Sequence, residues 1–150
     1  MNKPETLYEL CALTAEAIET QPLNYHQGYW CVSAQEAVGA EACGTAYCRA
    51  GWMYALLQDE DNMPSLDLLK PNSYDLIAKG MFQLLQNAGI PDDAINQLFA
   101  GIGDEECSRT YHPDLHNQDP GTEEYARTGA DGMRQFMREF EAQLKATKLP

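Results

Sequence analysis

Apolar residues recur every three to four positions in several stretches of this chain, which is the spacing of one face of an α-helix. The first stretch begins at Pro4, a residue suited to the first helical turn, and ends at Pro22. Its predicted buried stripe consists of Leu7, Leu10, Cys11, Thr14, Ala17 and Ile18. The pattern therefore predicts an amphipathic helix between these two prolines.

A second helix is predicted from Thr45, a residue type that caps helix N-termini, to about Gln58. Its predicted buried face consists of Cys48, Trp52, Ala55 and Leu56. Gly51 lies inside this helix, where a glycine costs about 1 kcal/mol relative to alanine. We therefore expect Gly51 to let another backbone or ring approach closely.

The clearest periodic pattern in the chain begins at Ser73 and ends at Gly89. Its apolar positions are Ile77, Gly80, Met81, Leu84, Leu85 and Ala88. A short helix is then predicted from Pro91, with a buried face of Ile95, Leu98 and Phe99. Two acids after Pro91 favour this start, because carboxylates stabilise the positive end of a helix.

The last predicted helix begins at Thr122 and runs to about Ala146. Its predicted core-facing stripe consists of Ala126, Gly129, Met133, Phe136, Met137, Phe140 and Leu144. Residues 104–121, which precede it, show no periodicity and are rich in acids, rings and proline. So long a connection is uncommon inside a compact domain and is often functional.

The composition favours helices over strands, because the chain holds 18 Ala and 16 Leu but only seven Val and Ile together. Its 150 residues, 44% of them hydrophobic, suffice for the core of one ordinary domain. We expect residues 1–150 to form a single all-α domain, a compact bundle of four to five helices with a long acidic loop.

The charge balance excludes several classes of partner. Twenty-three acids against ten Lys and Arg give a net charge of −13, which repels a nucleic-acid backbone and an anionic membrane surface. No apolar run approaches the roughly 18 residues of a membrane-spanning helix, and Met1–Glu5 lacks the build of a secretory signal. We expect a cytoplasmic protein that binds neither nucleic acid nor membrane directly.

Residues 42–52 read ACGTAYCRAGW. This segment resembles the CGTxxCxAGW motif of a group of small proteins from bacteria and their phages, and departs from it at Arg49, where an apolar residue is usual. Weaker matches to the same group are Ile18, Glu19, Pro22, Trp30, Gly89, Ile90, Leu98, Phe99, Gly121, Thr122, Tyr125 and Ala126. The group has no established activity, so the resemblance implies a phage or mobile-element origin and no function.

Five residues offer the thiolate and imidazole ligands that Zn²⁺ prefers: Cys43, Cys48, Cys107, His112 and His116. The two thiols of the CxxxxC spacing are further apart in sequence than in the usual zinc knuckle, and Pro113 interrupts the pair of histidines. The favoured interpretation is therefore reduced core cysteines and ordinary loop histidines, with no cofactor. One alternative is that these five residues bind zinc. A further alternative is that Cys43 and Cys48 form a redox pair or provide a nucleophile.

The leading functional hypothesis is a small, acidic, non-enzymatic interaction protein that binds and modulates a protein partner. A basic nucleic-acid-binding protein would suit it, because an acidic surface can occupy a basic groove. Its candidate acidic surface is Asp104, Glu105 and Glu106, and its candidate anchors are Tyr25, Tyr29 and Trp30, for which core packing is the alternative.

Two other functional hypotheses remain open at the level of sequence. One is a metal- or small-ligand-binding protein, including an enzyme, built around the five Cys and His residues. The other is a homo-oligomer in which the Met and Phe stripe of the last helix pairs with a second copy.

Overall fold

The computed structural model describes residues 4–25, 32–33, 45–46, 48–57, 80–99, 111, 118–119 and 121–149. The helices in this part of the chain are α1 (Leu7–Thr20), α2 (Arg49–Leu57), α3 (residues 80–87), α4 (Asp92–Phe99), α5 (Glu123–Glu139) and α6 (Glu141–Ala146). A 3-10 turn spans Pro22–Asn24, and two short strands are β1 (Val32–Ser33) and β2 (Thr45–Ala46). The predicted all-α class is confirmed, but the described residues form six helices rather than four to five. The predicted acidic loop, residues 104–121, lies largely outside the described residues.

Helix α1 begins later than predicted, at Leu7 rather than Pro4. The hydroxyl of Thr6 caps it by accepting a hydrogen bond from the Glu9 amide at 3.2 Å. The residues before Leu7 are extended because they pair with the C-terminal end of the chain, where Thr6 forms an antiparallel bridge with Lys148. The predicted buried stripe is confirmed at all six positions, and a 3-10 turn that starts at Pro22 follows the helix.

Helix α2 also begins later than predicted, at Arg49 rather than Thr45. The proposed cap is wrong because Thr45 and Ala46 are extended and pair antiparallel with Ser33 and Val32. The predicted position of Gly51 inside the helix is correct.

Helix α4 follows the predicted periodicity, and α3 follows it in part. The predicted start of α3 at Ser73 and its predicted position Ile77 lie outside the described residues. Met81 and Leu85 of α3 are buried, whereas Gly80 is exposed, so its place in the predicted stripe is wrong. The α3 helix is followed by Gly89 with a φ of +84°, a left-handed backbone that glycine adopts without strain. The predicted face of α4, Ile95, Leu98 and Phe99, is buried.

The predicted last helix is two helices, because the backbone at Phe140 leaves helical geometry with φ −119° and ψ 27°. The predicted start is Thr122, and α5 begins one residue later, with Thr122 as its N-cap: the Thr122 hydroxyl accepts from the Tyr125 amide at 3.2 Å. The largest helix interface of the described chain is that of α5 with α1. Met133, Phe136 and Met137 of the predicted stripe are buried, so these residues do not form an exposed face for a second copy.

Within the described ranges, none of the helices combines the length and the apolar character that a membrane crossing demands.

Candidate functional site

Arg49, the first residue of α2, has no exposed surface. Its guanidinium donates hydrogen bonds to the backbone carbonyls of three distant residues. Nε and Nη2 donate to Gly129 at 3.0 and 2.9 Å, Nη1 to Leu98 at 3.1 Å, and Nη2 to Tyr111 at 2.7 Å. One side chain of α2 thus joins the end of α4, the middle of α5 and the connection between them.

Burial lowers the pKa of Arg49, because removal from water disfavours the charged form. The carbonyl oxygens replace part of the lost hydration, since each presents the negative end of a dipole to the guanidinium. The phenol groups of Tyr25, Tyr125 and Tyr111 and the thiol of Cys48 are its electrostatic neighbours. The sequence identifies Arg49 as a departure from an apolar pattern but does not predict that its charge is internal.

Tyr111 lies in the connection between α4 and α5 and is buried, with 2% of its surface exposed. Its carbonyl accepts from Arg49, and its phenol hydroxyl donates to Glu139 at 2.6 Å. Its ring meets Phe136 edge to face, with centroids 5.7 Å apart. Burial and the carboxylate both raise the pKa of the Tyr111 phenol. Sequence reasoning missed this residue, because its aperiodic surroundings gave no sign of a buried ring.

Tyr25 is fully buried, so its interpretation as a surface anchor is wrong and the core alternative is correct. Its ring packs against that of Tyr125, with centroids 5.4 Å apart, and against Gly129. Burial raises the pKa of its phenol. The other two proposed anchors, Tyr29 and Trp30, lie outside the described residues.

Cys48 is buried, as the favoured interpretation predicts, and its Sγ accepts the Gly51 amide at 3.4 Å. Burial raises its pKa to about 11 and that of Cys11 to about 12. Both side chains are therefore neutral thiols near pH 7. The remaining proposed zinc ligands, Cys43, Cys107, His112 and His116, lie outside the described residues, so the zinc site stays a prediction.

The proposed acidic surface at Asp104, Glu105 and Glu106 also lies outside the described residues. Twelve other carboxylates are described, and all are exposed except Glu19, which is half-buried. They are Glu5, Glu9, Glu16, Glu19, Asp92, Asp93, Asp119, Glu123, Glu124, Asp131, Glu139 and Glu141. The accessible bases of the described chain all follow Tyr125 and are Arg127, Arg134, Arg138, Lys145 and Lys148.

An open groove of about 290 Å³ lies between α1 and α5. It is lined by Tyr8, Ala12, Ala15, Arg134, Met137 and Arg138. The guanidinium of Arg134 is held by hydrogen bonds to Glu19 and, at 3.0 Å, to Asp131. Sequence reasoning missed this groove, because its two sides are more than 100 residues apart in the chain.

Comparison with known proteins gives no relative: neither the family models nor the curated proteins nor the solved structures contain a match to this chain.

Proposed function

We propose that this protein is a small, acidic, non-enzymatic interaction protein of phage or mobile-element origin that acts in the cytoplasm. It binds and modulates a protein partner with a basic surface, such as a nucleic-acid-binding protein. The supporting observation is the division of charge between surface and interior. All twelve described carboxylates reach the solvent, whereas the guanidinium of Arg49 is fully buried.

The excess of acids at the surface produces a negative field outside the protein. The chain has a net charge of −13, and all twelve described carboxylates reach the solvent. A strong field of one sign steers a partner of opposite charge and raises the association rate, and this effect weakens as salt is added. An acidic surface of this kind is best suited to bind a basic groove of a partner protein.

The proposal is tested by capturing a partner protein and then measuring its affinity. The immobilised protein is exposed to a bacterial lysate at low salt, and a captured basic protein is purified and titrated at two salt concentrations. We expect its affinity to fall steeply with salt. We also expect the triple variant Asp104→Asn, Glu105→Gln, Glu106→Gln to bind more weakly by at least tenfold.

A matched control variant removes three charges elsewhere: Glu16→Gln, Asp92→Asn and Glu123→Gln. Equal weakening by both variants would support the overall field and refute a specific role for residues 104–106. Affinity independent of salt and of both sets of substitutions would refute the acidic-surface function.

A further inference from the structure

Three arginines of α5 form a stripe beside the groove between α1 and α5. At 3.6 residues per turn, Arg127, Arg134 and Arg138 fall within about 40° of one another around the helix axis. Lys145 of α6 extends the positive charge past the groove, with its ammonium 4.8 Å from the centre of the Tyr8 ring. The stripe thus carries positive charge on a protein whose net charge is −13.

Acidic partners neutralise some of the positive charges of this stripe and of Lys145 but not others. Arg134 is bound by Glu19 and Asp131, and Lys145 by Glu141 at 2.8 Å. Arg127 and Arg138 are exposed, and among the described residues neither has a hydrogen-bonding or ion-pair partner. Two guanidinium groups are therefore available to an external carboxylate, one of them lining the groove.

The floor of the groove is apolar. Ala12 and Ala15 of α1 supply no more than a methyl group each, which leaves the depression open, and Met137 of α5 forms part of the lining. Methionine adapts readily to the shape of an incoming side chain. The groove, with its aromatic wall at Tyr8, therefore suits an apolar side chain flanked by carboxylates.

We propose that this groove and arginine stripe bind an acidic peptide segment of a second partner protein, with an apolar side chain in the groove and carboxylates on Arg127 and Arg138. The volume of about 290 Å³ lies at the lower limit for a small-molecule site. Arg127 and Arg138 are 11 residues apart on one helix, which is roughly 16 Å and matches about five residues of extended chain. The repulsion from a net charge of −13 is larger for a second copy of this chain than for a short acidic segment, so a second copy is disfavoured.

The proposal is tested with a defined peptide and the full chain. The acetylated hexapeptide EELFEE is titrated into protein labelled with ¹³C at its methionine methyl groups, and QQLFQQ and KKLFKK are titrated in parallel. The signal of Met137 is assigned with Met137→Leu, and that of the fully buried Met133 is an internal control. We expect EELFEE alone to give a saturable shift, confined to Met137.

Three variants separate the groove from general electrostatics. Arg138→Glu should weaken EELFEE binding at least tenfold, and Ala12→Leu should block it by filling the groove. Lys148→Glu makes the same charge change at an exposed base that does not line the groove and should leave the affinity within twofold.

Three results would overturn the proposal: no saturable shift with EELFEE, equal shifts with QQLFQQ, or equal weakening by Arg138→Glu and Lys148→Glu. A shift with dodecanoate but not with EELFEE would also overturn it, because the groove would then take a fatty acid rather than a peptide. None of these outcomes depends on residues 104–106.

Discussion

The ring of Tyr25 occupies the space in which any other residue at Gly129 would place its Cβ. A Cβ built on Gly129 would lie 2.4 Å from Tyr25 Cε2, closer than such atoms approach in proteins. One turn further along, a Cβ on Gly132 would lie 1.5 Å from the carbonyl oxygen of Tyr111. Two glycines inside α5 thus let a ring and a backbone segment reach the helix, although each costs it about 1 kcal/mol relative to alanine.

Gly129→Ala should therefore destabilise the protein by at least about 2 kcal/mol, since overpacking exceeds the gain in helix propensity. Gly80→Ala is the matched control, because a Cβ there meets nothing within 4 Å. It should be neutral or stabilising by up to about 1 kcal/mol. Urea unfolding of the two variants measures the difference. Adding Tyr25→Leu to Gly129→Ala should cost less than the sum of the single changes, and strict additivity would contradict the contact.

Arg49→Met should destabilise the protein by about 3 kcal/mol or more, because the buried carbonyls of Leu98 and Tyr111 each lose a donor. Arg49→Lys should not restore stability, since one ammonium cannot reproduce the planar fork that reaches three carbonyls. Arg127→Met, an exposed change on α5, should stay within about 0.5 kcal/mol of the parent. The measurement is the free energy of urea unfolding of each variant and of the parent. If Arg49→Met had nearly the same stability as the parent, the structural role of the guanidinium would be refuted.

Tyr111→Phe should cost about 1–2 kcal/mol, because it removes the hydroxyl that donates a partly buried hydrogen bond to the carboxylate of Glu139. Glu139→Gln should lower the pKa of the Tyr111 phenol, because the carboxylate of Glu139 helps to raise that pKa. A ¹³C NMR titration of labelled tyrosine measures that pKa. Glu141→Gln, which removes the neighbouring carboxylate bound to Lys145, should leave it unchanged. An unaltered Tyr111 pKa in Glu139→Gln would show that the hydrogen bond is absent in solution.

Features set by local sequence were predictable in this protein. The stripe of α1 and the face of α4 follow from periodicity alone. Each depends on neighbours within a turn or two of helix, so the chain specifies them without reference to the rest of the fold.

Features set by distant contacts were not predictable. Thr45 fits a helix cap locally, but pairing with Ser33 draws it into a strand. The hydrogen-bond partners of Arg49 lie 49, 62 and 80 residues away, so nothing near it in the sequence indicates a buried charge. The groove between α1 and α5 likewise exists only once the two helices pack.

The two buried thiols should make the protein less stable at alkaline pH. Burial raises the pKa of Cys11 to about 12 and that of Cys48 to about 11, from the ordinary value of 9.0. Below pH 9 both the folded and the unfolded chain hold these protons, so the stabilisation is fully present there. As pH rises from 9 towards 11, the unfolded chain loses the protons first and is stabilised by ionisation. Each thiol then lowers the free energy of unfolding by up to about 1.4 kcal/mol per pH unit.

Urea unfolding at pH 8, 9 and 10 should show this decline, and the variant Cys11→Ala, Cys48→Ala should show a smaller one. Thiol labelling provides an independent check. At pH 8 the folded variant should have the same number of rapidly labelled thiols per molecule as the parent, because the two thiols that it lacks are inaccessible to the reagent in the parent. In denaturant the total should fall from the five cysteines of the parent to three. If the folded variant had fewer rapidly labelled thiols than the folded parent, Cys11 or Cys48 would be accessible in the parent. That result would contradict their burial in the core.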